Sequence, residues 1–341
     1  MEFQPFTRHD LDLLGDYHAL ALDNHEARKG PAPTWERLRK AFGTVRPGMA
    51  QRDWLVRDGG EVVGHVALAL PVAENRHLAM GVVQVRRDLR RRGIGRELYD
   101  FFVGRSREEG RTTVIAGVDE PLAGVEAEID RSGSRFLTAL GYEVALTSVH
   151  SRLDMSTVEA GAHERLAEQA GPHAAGYETL SWIEGKGGGE CPEELVEDLG
   201  YLEYRLTTDM PLGDMDYEPE RPDAARVRER ALTAMETGQS LVHAAARHKA
   251  TGKTVAWTFV ELSRDDDEYA HQAITVVDPE HRGHRLGTLV KLENMRAALA
   301  LRPALRYVDT DNAADNTPMI AVNTAIGYRP THAQVTYQRR I

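Results

Sequence analysis

One cysteine, Cys191, stands in 341 residues. That excludes an internal disulfide framework and suits a reducing compartment; a lone cysteine reads first as an incidental small residue. No apolar run approaches the roughly 18 residues needed to span a bilayer. The opening Met1-Glu2-Phe3-Gln4-Pro5 has neither the basic nor the apolar region of a signal peptide. A cytoplasmic location without a membrane partner is the expectation. Positive charge is also short, with 42 Lys and Arg against 53 Asp and Glu and a net charge of −11. Nucleic-acid binding rests on Lys and Arg against phosphate, so general affinity for nucleic acid is not expected. No metal is expected either.

What the chain does have, it has twice. Val83-Gln84-Val85 leads to Arg90-Arg91-Arg92-Gly93-Ile94-Gly95-Arg96, and Thr275-Val276-Val277 leads to Arg282-Gly283-His284-Arg285-Leu286-Gly287. Each copy is a short apolar run, a basic glycine turn and a stretch with helical spacing. Gly60 falls on Gly252, Val85 on Val277 and Gly95 on Gly287, all at an offset of 192 residues. A constant offset through differing local sequence indicates a duplicated domain, and 341 residues accommodate two domains of ordinary size.

Periodicity predicts the same element order in both copies. In the first, helices are expected over Leu11 to Ala27, Trp35 to Phe42, the run from Ile94, and Ser134 to Leu140. Strands are expected over 54–56, 62–70, 77–85, 113–118 and 143–153. Residues 154–176 lose apolar periodicity and read as a linker with room for a short helix. The second copy offers strands over 177–183, 241–246, 255–262, 269–277, 305–310 and 333–339, a loop at Gly187-Gly188-Gly189, and helices over 192–205, 289–299 and 318–325.

A strand ending in a glycine-rich basic turn that opens a helix makes an anion site, because the first helical N–H groups have no intrahelical partner and carry partial positive charge. A dinucleotide fingerprint needs a third glycine where Leu98 stands, and a P-loop needs a Gly-Lys-Ser/Thr that neither turn has. The pattern Arg/Gln-x-x-Gly-x-Gly/Ala resembles the acyl-CoA loop of the GNAT acetyltransferase superfamily, and Arg90-Arg91-Arg92-Gly93-Ile94-Gly95 matches it fully. Leu140-Gly141-Tyr142 and Ile326-Gly327-Tyr328 resemble that superfamily's late Gly-Phe/Tyr. The tandem arrangement is similar to that of mycothiol synthases and related actinobacterial-type double-domain proteins.

The resemblance implies a mixed α/β fold with a mostly antiparallel central sheet and flanking helices, in two tandem domains at 1–153 and 177–341. It implies acetyl-CoA bound by Val83, Val85 and residues 90–96 (Arg90, Arg91, Arg92, Gly93, Ile94, Gly95, Arg96), and in the second copy by Thr275, Val277, Arg282, Gly283, His284, Arg285, Leu286, Gly287 and Asn316. Arg285 replaces a motif glycine, and an ordinary φ is expected there if its N–H is to donate. The family's usual base and acid positions fall on Ala79 and Leu137 in the first copy, which cannot move a proton. In the second they fall on His271 and Asn323. An imidazole is well placed to act as base on an ammonium acceptor, and Asn323 offers a hydrogen bond to sulfur or pantetheine. Glu268 and Glu261 are further candidate bases. Residues 309–316 are rich in turn formers and read as a loop with a helix N-cap.

The second copy is therefore expected to catalyse and the first to bind. The expected reaction is direct acetyl transfer from acetyl-CoA to a small primary amine. A non-catalytic acyl-CoA sensor and a mycothiol-synthase-type activity remain the alternatives. The tandem copies are expected to pack as a pseudo-dimer, in a monomer or a homodimer.

Overall fold

Alternating apolar residues build one continuous sheet from both copies. The computed structural model describes residues 1–26, 32–42, 48–126, 128–185, 188–219, 221, 224–262 and 266–341. The first copy runs β1 (Glu2–Phe6), α1 (Leu11–Asp23), α2 (Trp35–Ala41), β2 (Met49–Asp58), β3 (Glu61–Pro71), β4 (Leu78–Val85), α3 (Ile94–Glu108), β5 (Thr113–Glu120), α4 (Ser132–Ala139) and β6 (Glu143–Asp154). After α5 (Ala162–Ala170), the second runs β7 (Tyr177–Gly185), α6 (Val196–Asp209), α7 (Ala224–Thr237), β8 (Ser240–His248), β9 (Thr254–Leu262), β10 (Tyr269–Val277), α8 (Leu286–Leu301), β11 (Tyr307–Ala313), α9 (Thr317–Ile326) and β12 (Arg329–Arg340).

The first expected helix ends at Asp23; Ala27, like Gly187 of the glycine loop, lies outside the described residues. The stretch 154–176 carries α5, whose Leu166 and Ala167 pack against the second copy's core. Helix α7 has no counterpart in the sequence reading. The strand expected to end at Thr310 runs on as β11 through residues 311–313, expected as loop. Among the described residues, no helix is long and apolar enough to cross a membrane.

The twelve strands lie in the order β1-β2-β3-β4-β5-β12-β6-β11-β10-β9-β8-β7. The copies exchange their closing strands. β12, from the second copy, pairs with β5 of the first, and β6, from the first, pairs with β11 of the second. β6 and β12 meet antiparallel in the middle, with Ser148 opposite Gln334, so a pseudo-twofold axis passes through the sheet there.

Successive residues of a strand face opposite sides, which sorts the helices into two layers. Trp54 and Val56 pack with Leu98, Tyr99, Phe102 and Val103 of α3, whereas Leu55 packs with Leu14 of α1 and Leu38 of α2. In the second copy Leu153, Val308 and Tyr328 pack with α8, while Trp257 and Phe259 pack with Leu199 of α6 and Val227 of α7. One face thus carries α3, α4, α5, α8 and α9, and the other carries α1, α2, α6 and α7. Each fully buried leucine in these layers is worth about 1.5–3 kcal/mol.

Among the described residues, two strand pairs of the sheet are parallel, β4 with β5 and β10 with β11, and both stop early. The first ends at Met80 opposite Ile115 and the second at His271 opposite Asp309. Beyond those points Gly81–Val85 diverges from β5 and Ala273–Val277 from β11, while β3 and β9 stay paired on their other edges. Each copy therefore has a wedge-shaped opening through the sheet beside its basic turn.

Candidate functional site

The two turns share one backbone and place their glycines differently. In the first, Arg91 (φ +66°) and Gly93 (φ +89°) are left-handed; in the second, the same two positions are Gly283 (φ +84°) and Arg285 (φ +55°). The expectation of an ordinary φ at Arg285 is thus corrected. Holding a non-glycine residue in the left-handed region costs roughly 1–2 kcal/mol, and each turn carries that cost once. Gly93 and Arg285 are the N-caps of α3 and α8.

The first arginine of each turn is a brace. Arg90 gives Nε to the carbonyl of Val85 (3.3 Å), Nη1 to Asp130 (2.6 Å) and Nη2 to Asn24 (2.9 Å). Arg282 repeats this on Val277 (3.3 Å) and Asp209 (2.5 Å). Both tie the end of the wedge strand to the helix on the opposite face. Arg91 and Arg96 of the first turn are exposed, Arg96 lying 3.4 Å from Asp100 one helical turn on. Arg92 turns back onto the carbonyl of Asp88 at 3.2 Å.

A cavity of about 660 Å³ occupies the first wedge. Val83, Gln84 and Val85 of β4 and Gly117, Val118 and Asp119 of β5 form its sides. Arg90, Arg91, Gly93, Gly95 and Arg96 close one end, and Phe136 of α4, Asn24 and Gln334 complete it. A Cβ built on Gly117 meets nothing within 4 Å, so the missing side chain leaves the wedge open. Of the residues expected to hold the donor here, Arg92 and Ile94 alone do not line it. Ala79 is fully buried and Leu137 nearly so, both in the core under α3.

The second turn is engaged by its own chain. Arg285 Nη1 donates to the carbonyl of Gln169 (3.4 Å) near the C-terminus of α5, the negative end of that helix dipole. His284 Nδ1 lies 3.0 Å from the carbonyl of His173, and His281 Nδ1 lies 2.9 Å from the Tyr177 hydroxyl. Thr275 Oγ1 bonds the Thr258 hydroxyl at 2.8 Å, and Val277 lies against Gly287. Asn316 caps α9, accepting from the Met319 N–H at 3.3 Å. Asn323 is 3% exposed and gives Nδ2 to Asn312 at 2.6 Å. Glu268 is exposed at the start of β10, its carbonyl accepting from Arg306 and Tyr307.

His271 is half-buried at the last residue of β10 that pairs with β11, in a row running Glu261–His271–Asp309–Arg152 across the α6 face. Arg152 grips both oxygens of Asp309 at 2.6 and 2.7 Å. In the next row His150 Nδ1 reaches Asp311 at 2.8 Å, and its Nε2 lies 3.5 Å from Asp309. Burial opposes the charge on both partners, but their mutual hydrogen bonds and those of Arg152 and Asp311 outweigh it. His150 is raised to about 9 and Asp309 lowered to about 2.

Comparison with known proteins places this geometry. Residues 17–126 match the Acetyltransferase (GNAT) family. A solved tandem GNAT protein from the clavulanic acid biosynthesis pathway, determined without acetyl-CoA, is 31% identical with a TM-score of 0.80, over 99% of this chain and 98% of its own. The chain belongs to the GNAT family as a tandem member and is an N-acetyltransferase of that family, whose donors are acyl-CoA thioesters. The fold extends to distant proteins. A GCN5-related N-acetyltransferase from Sphaerobacter thermophilus shares 12% identity (TM-score 0.64, covering 99% of this chain and 95% of that one). The N-myristoyltransferase of Saccharomyces cerevisiae with bound myristoyl-CoA also shares 12% (TM-score 0.55, 99% and 79%). No curated protein sequence matches.

Lining residues that sequence reasoning missed include Asn24, Gly117, Asp119, Phe136 and Gln334. Gly117, a glycine inside a strand, was the one available signal. Gln334 had none, because strand exchange brings it from the far end of the chain.

Proposed function

We propose that the protein is an acetyl-CoA-dependent N-acetyltransferase that moves an acetyl group directly to the primary amine of a small molecule, with the donor held in the first copy. The observation that carries this reading is the cavity at the first wedge, open beside a turn whose Arg91 and Arg96 reach solvent. Acetyl-CoA bound there supplies an activated thioester. The residues present suit it: the N-terminal N–H groups of α3 and the exposed guanidiniums of Arg91 and Arg96, the latter paired with Asp100 at 3.4 Å, suit a pyrophosphate, and the edge of Gly81–Val85 that faces away from β3 suits an extended amide chain. Val83 to Val85 also offer backbone N–H groups where carbonyl charge develops.

A second reading follows from the burial of Ala79 and Leu137 in apolar core. In it the first copy stores the donor, and His271 acts as base in the second. Calorimetric titration with acetyl-CoA and turnover on an amine panel test both. Gly117→Leu should abolish binding while leaving the melting temperature within a few degrees, because the new side chain enters open space. Arg282→Ala with Arg285→Ala should leave that binding unchanged. Binding that survives Gly117→Leu and disappears with the second-turn variant would overturn the assignment. Turnover lost in His271→Ala with intact binding selects the second reading.

A further inference from the structure

Resting on the donor site assigned to the first copy, the same cavity also carries carboxylates on its walls. The turn supplies Arg91 and Arg96, and the lining adds Asp119 of β5 and Glu26 beyond α1, besides the Asp130 that Arg90 holds. Val118 packs with the α3 core, so Asp119, its neighbour, faces the opposite side of the sheet, where it stands across from Gln334 of β12.

Asp119 is held from behind by the second copy. His332 lies two residues before Gln334 on β12, and its Nε2 is 3.6 Å from Asp119 Oδ1. The His332 side chain is only 9% exposed. Its Nδ1 is 2.9 Å from the Thr331 hydroxyl, and its ring lies tilted against that of His150, 4.4 Å between centroids. His150 is in turn fixed by Asp311 at 2.8 Å. An imidazole locked on three sides thus orients a carboxylate that itself lines the cavity, and that imidazole comes from the exchanged strand.

We propose that Asp119 receives the ammonium group of the acceptor and that His332 is the positioning residue that aims it. The acceptor is then a cationic primary amine, and its site is complete only when the second copy's last strand is in place. A carboxylate in a partly desolvated cavity discriminates an ammonium from a neutral hydroxyl through charge-assisted hydrogen bonding. The buried Ala79 and Leu137 offer nothing that could do so.

The test separates this inference from the donor assignment. Acetyl-CoA affinity is measured first by calorimetry on wild type, Asp119→Asn, His332→Leu and His332→Gln; it should agree within twofold in wild type and the two His332 variants, and the value for Asp119→Asn sets the CoA concentration that saturates it. Wild type without acetyl-CoA affinity would sink the donor assignment itself. Phenethylamine, putrescine and glucosamine are then titrated into each protein saturated with CoA, with phenethyl alcohol as the neutral control. The inference predicts that wild type binds at least one amine and not the alcohol. Asp119→Asn should weaken that amine tenfold or more. His332→Leu should do the same and raise the amine KM while leaving kcat within threefold, and His332→Gln, which keeps an N–H near the Nε2 position, should recover most of the loss. Equal amine affinity in wild type and Asp119→Asn, or no amine bound by wild type, would overturn the inference while leaving the donor site standing. Equal loss in His332→Leu and His332→Gln would remove His332 from it.

Discussion

Two cations in this protein, one buried and one half-buried, should pull its stability in opposite directions as pH rises, and single substitutions should expose each. Lys291 of α8 is 2% exposed, with its ammonium 5.0 Å above the ring of Tyr328. Burial pulls it from 10.5 down to about 7. The unfolded chain therefore holds a proton that the folded chain gives up, which costs on the order of 4 kcal/mol at pH 7 and is relieved as pH climbs toward 10.5. His150 is the reverse case. Its folded value of about 9 lies above the ordinary 6.5, so its contribution is complete below 6.5 and is lost as pH rises through 9. Between pH 7 and 9 the lysine should add about 2 kcal/mol and the histidine remove about 2 kcal/mol, at about 1.4 kcal/mol per pKa unit. Wild-type stability should be nearly flat across that interval. Lys291→Met keeps the apolar stem and removes the charge, giving up a cation–π contact of about 0.5–2 kcal/mol. It should stabilise the protein at pH 7 by about 2–4 kcal/mol and unmask a fall of about 2 kcal/mol from pH 7 to 9. His150→Gln should unmask a rise of similar size. Urea unfolding at pH 6, 7, 8 and 9 reads all three profiles. Parallel profiles in the three proteins, or a Lys291→Met variant less stable than wild type at pH 7, would refute the argument.

Breaking the carboxylate that joins the copies should be costly: Asp309→Ala leaves Arg152 without its bidentate partner between β6 and β11, a loss of about 3–5 kcal/mol by chemical denaturation, whereas replacing both residues with leucine should cost far less. Because the closing strands are exchanged, residues 1–176 and 177–341 produced separately should each lack cooperative unfolding and recover it on mixing; a fragment that melts cooperatively alone would contradict the role given to the exchange.

Much of the architecture was legible because it is local. The strand–turn–helix units at β4–α3 and β10–α8 are written in short-range periodicity, and duplication doubled the signal. The segment from Asp309 misled because its turn-forming residues are accommodated in β11 by partners 157 and 161 residues away: Arg152 takes Asp309, and His150 takes Asp311. Strand preference depends on such cross-strand neighbours, which a linear reading does not contain. Helix α7 was faint for another reason. Its buried residues, Val227, Ala231 and Ala234, are small, and its other face is crowded with charge.

The strand exchange had no local signature at all. β6 and β12 occupy the same place in each repeat, and either would complete its own half or the other. Which happens is decided by long-range pairing, and the acidic wall of the cavity depends on it, since His332 and Gln334 reach the first copy only through the exchange.

The turns show why matching letters is weaker than matching backbones. By its glycines, the first turn fits the donor-loop pattern and the second breaks it. By its φ angles, each has two left-handed residues and each spends one arginine there, Arg91 in the first and Arg285 in the second. The missing glycine at 285 therefore does not distinguish the turns. Their surroundings do: Arg285 and His284 are taken up by the carbonyls of Gln169 and His173, whereas Arg91 and Arg96 face an open cavity. An anion competes for the second turn only by displacing contacts the chain already makes, and the donor should accordingly settle first where the arginines are still exposed.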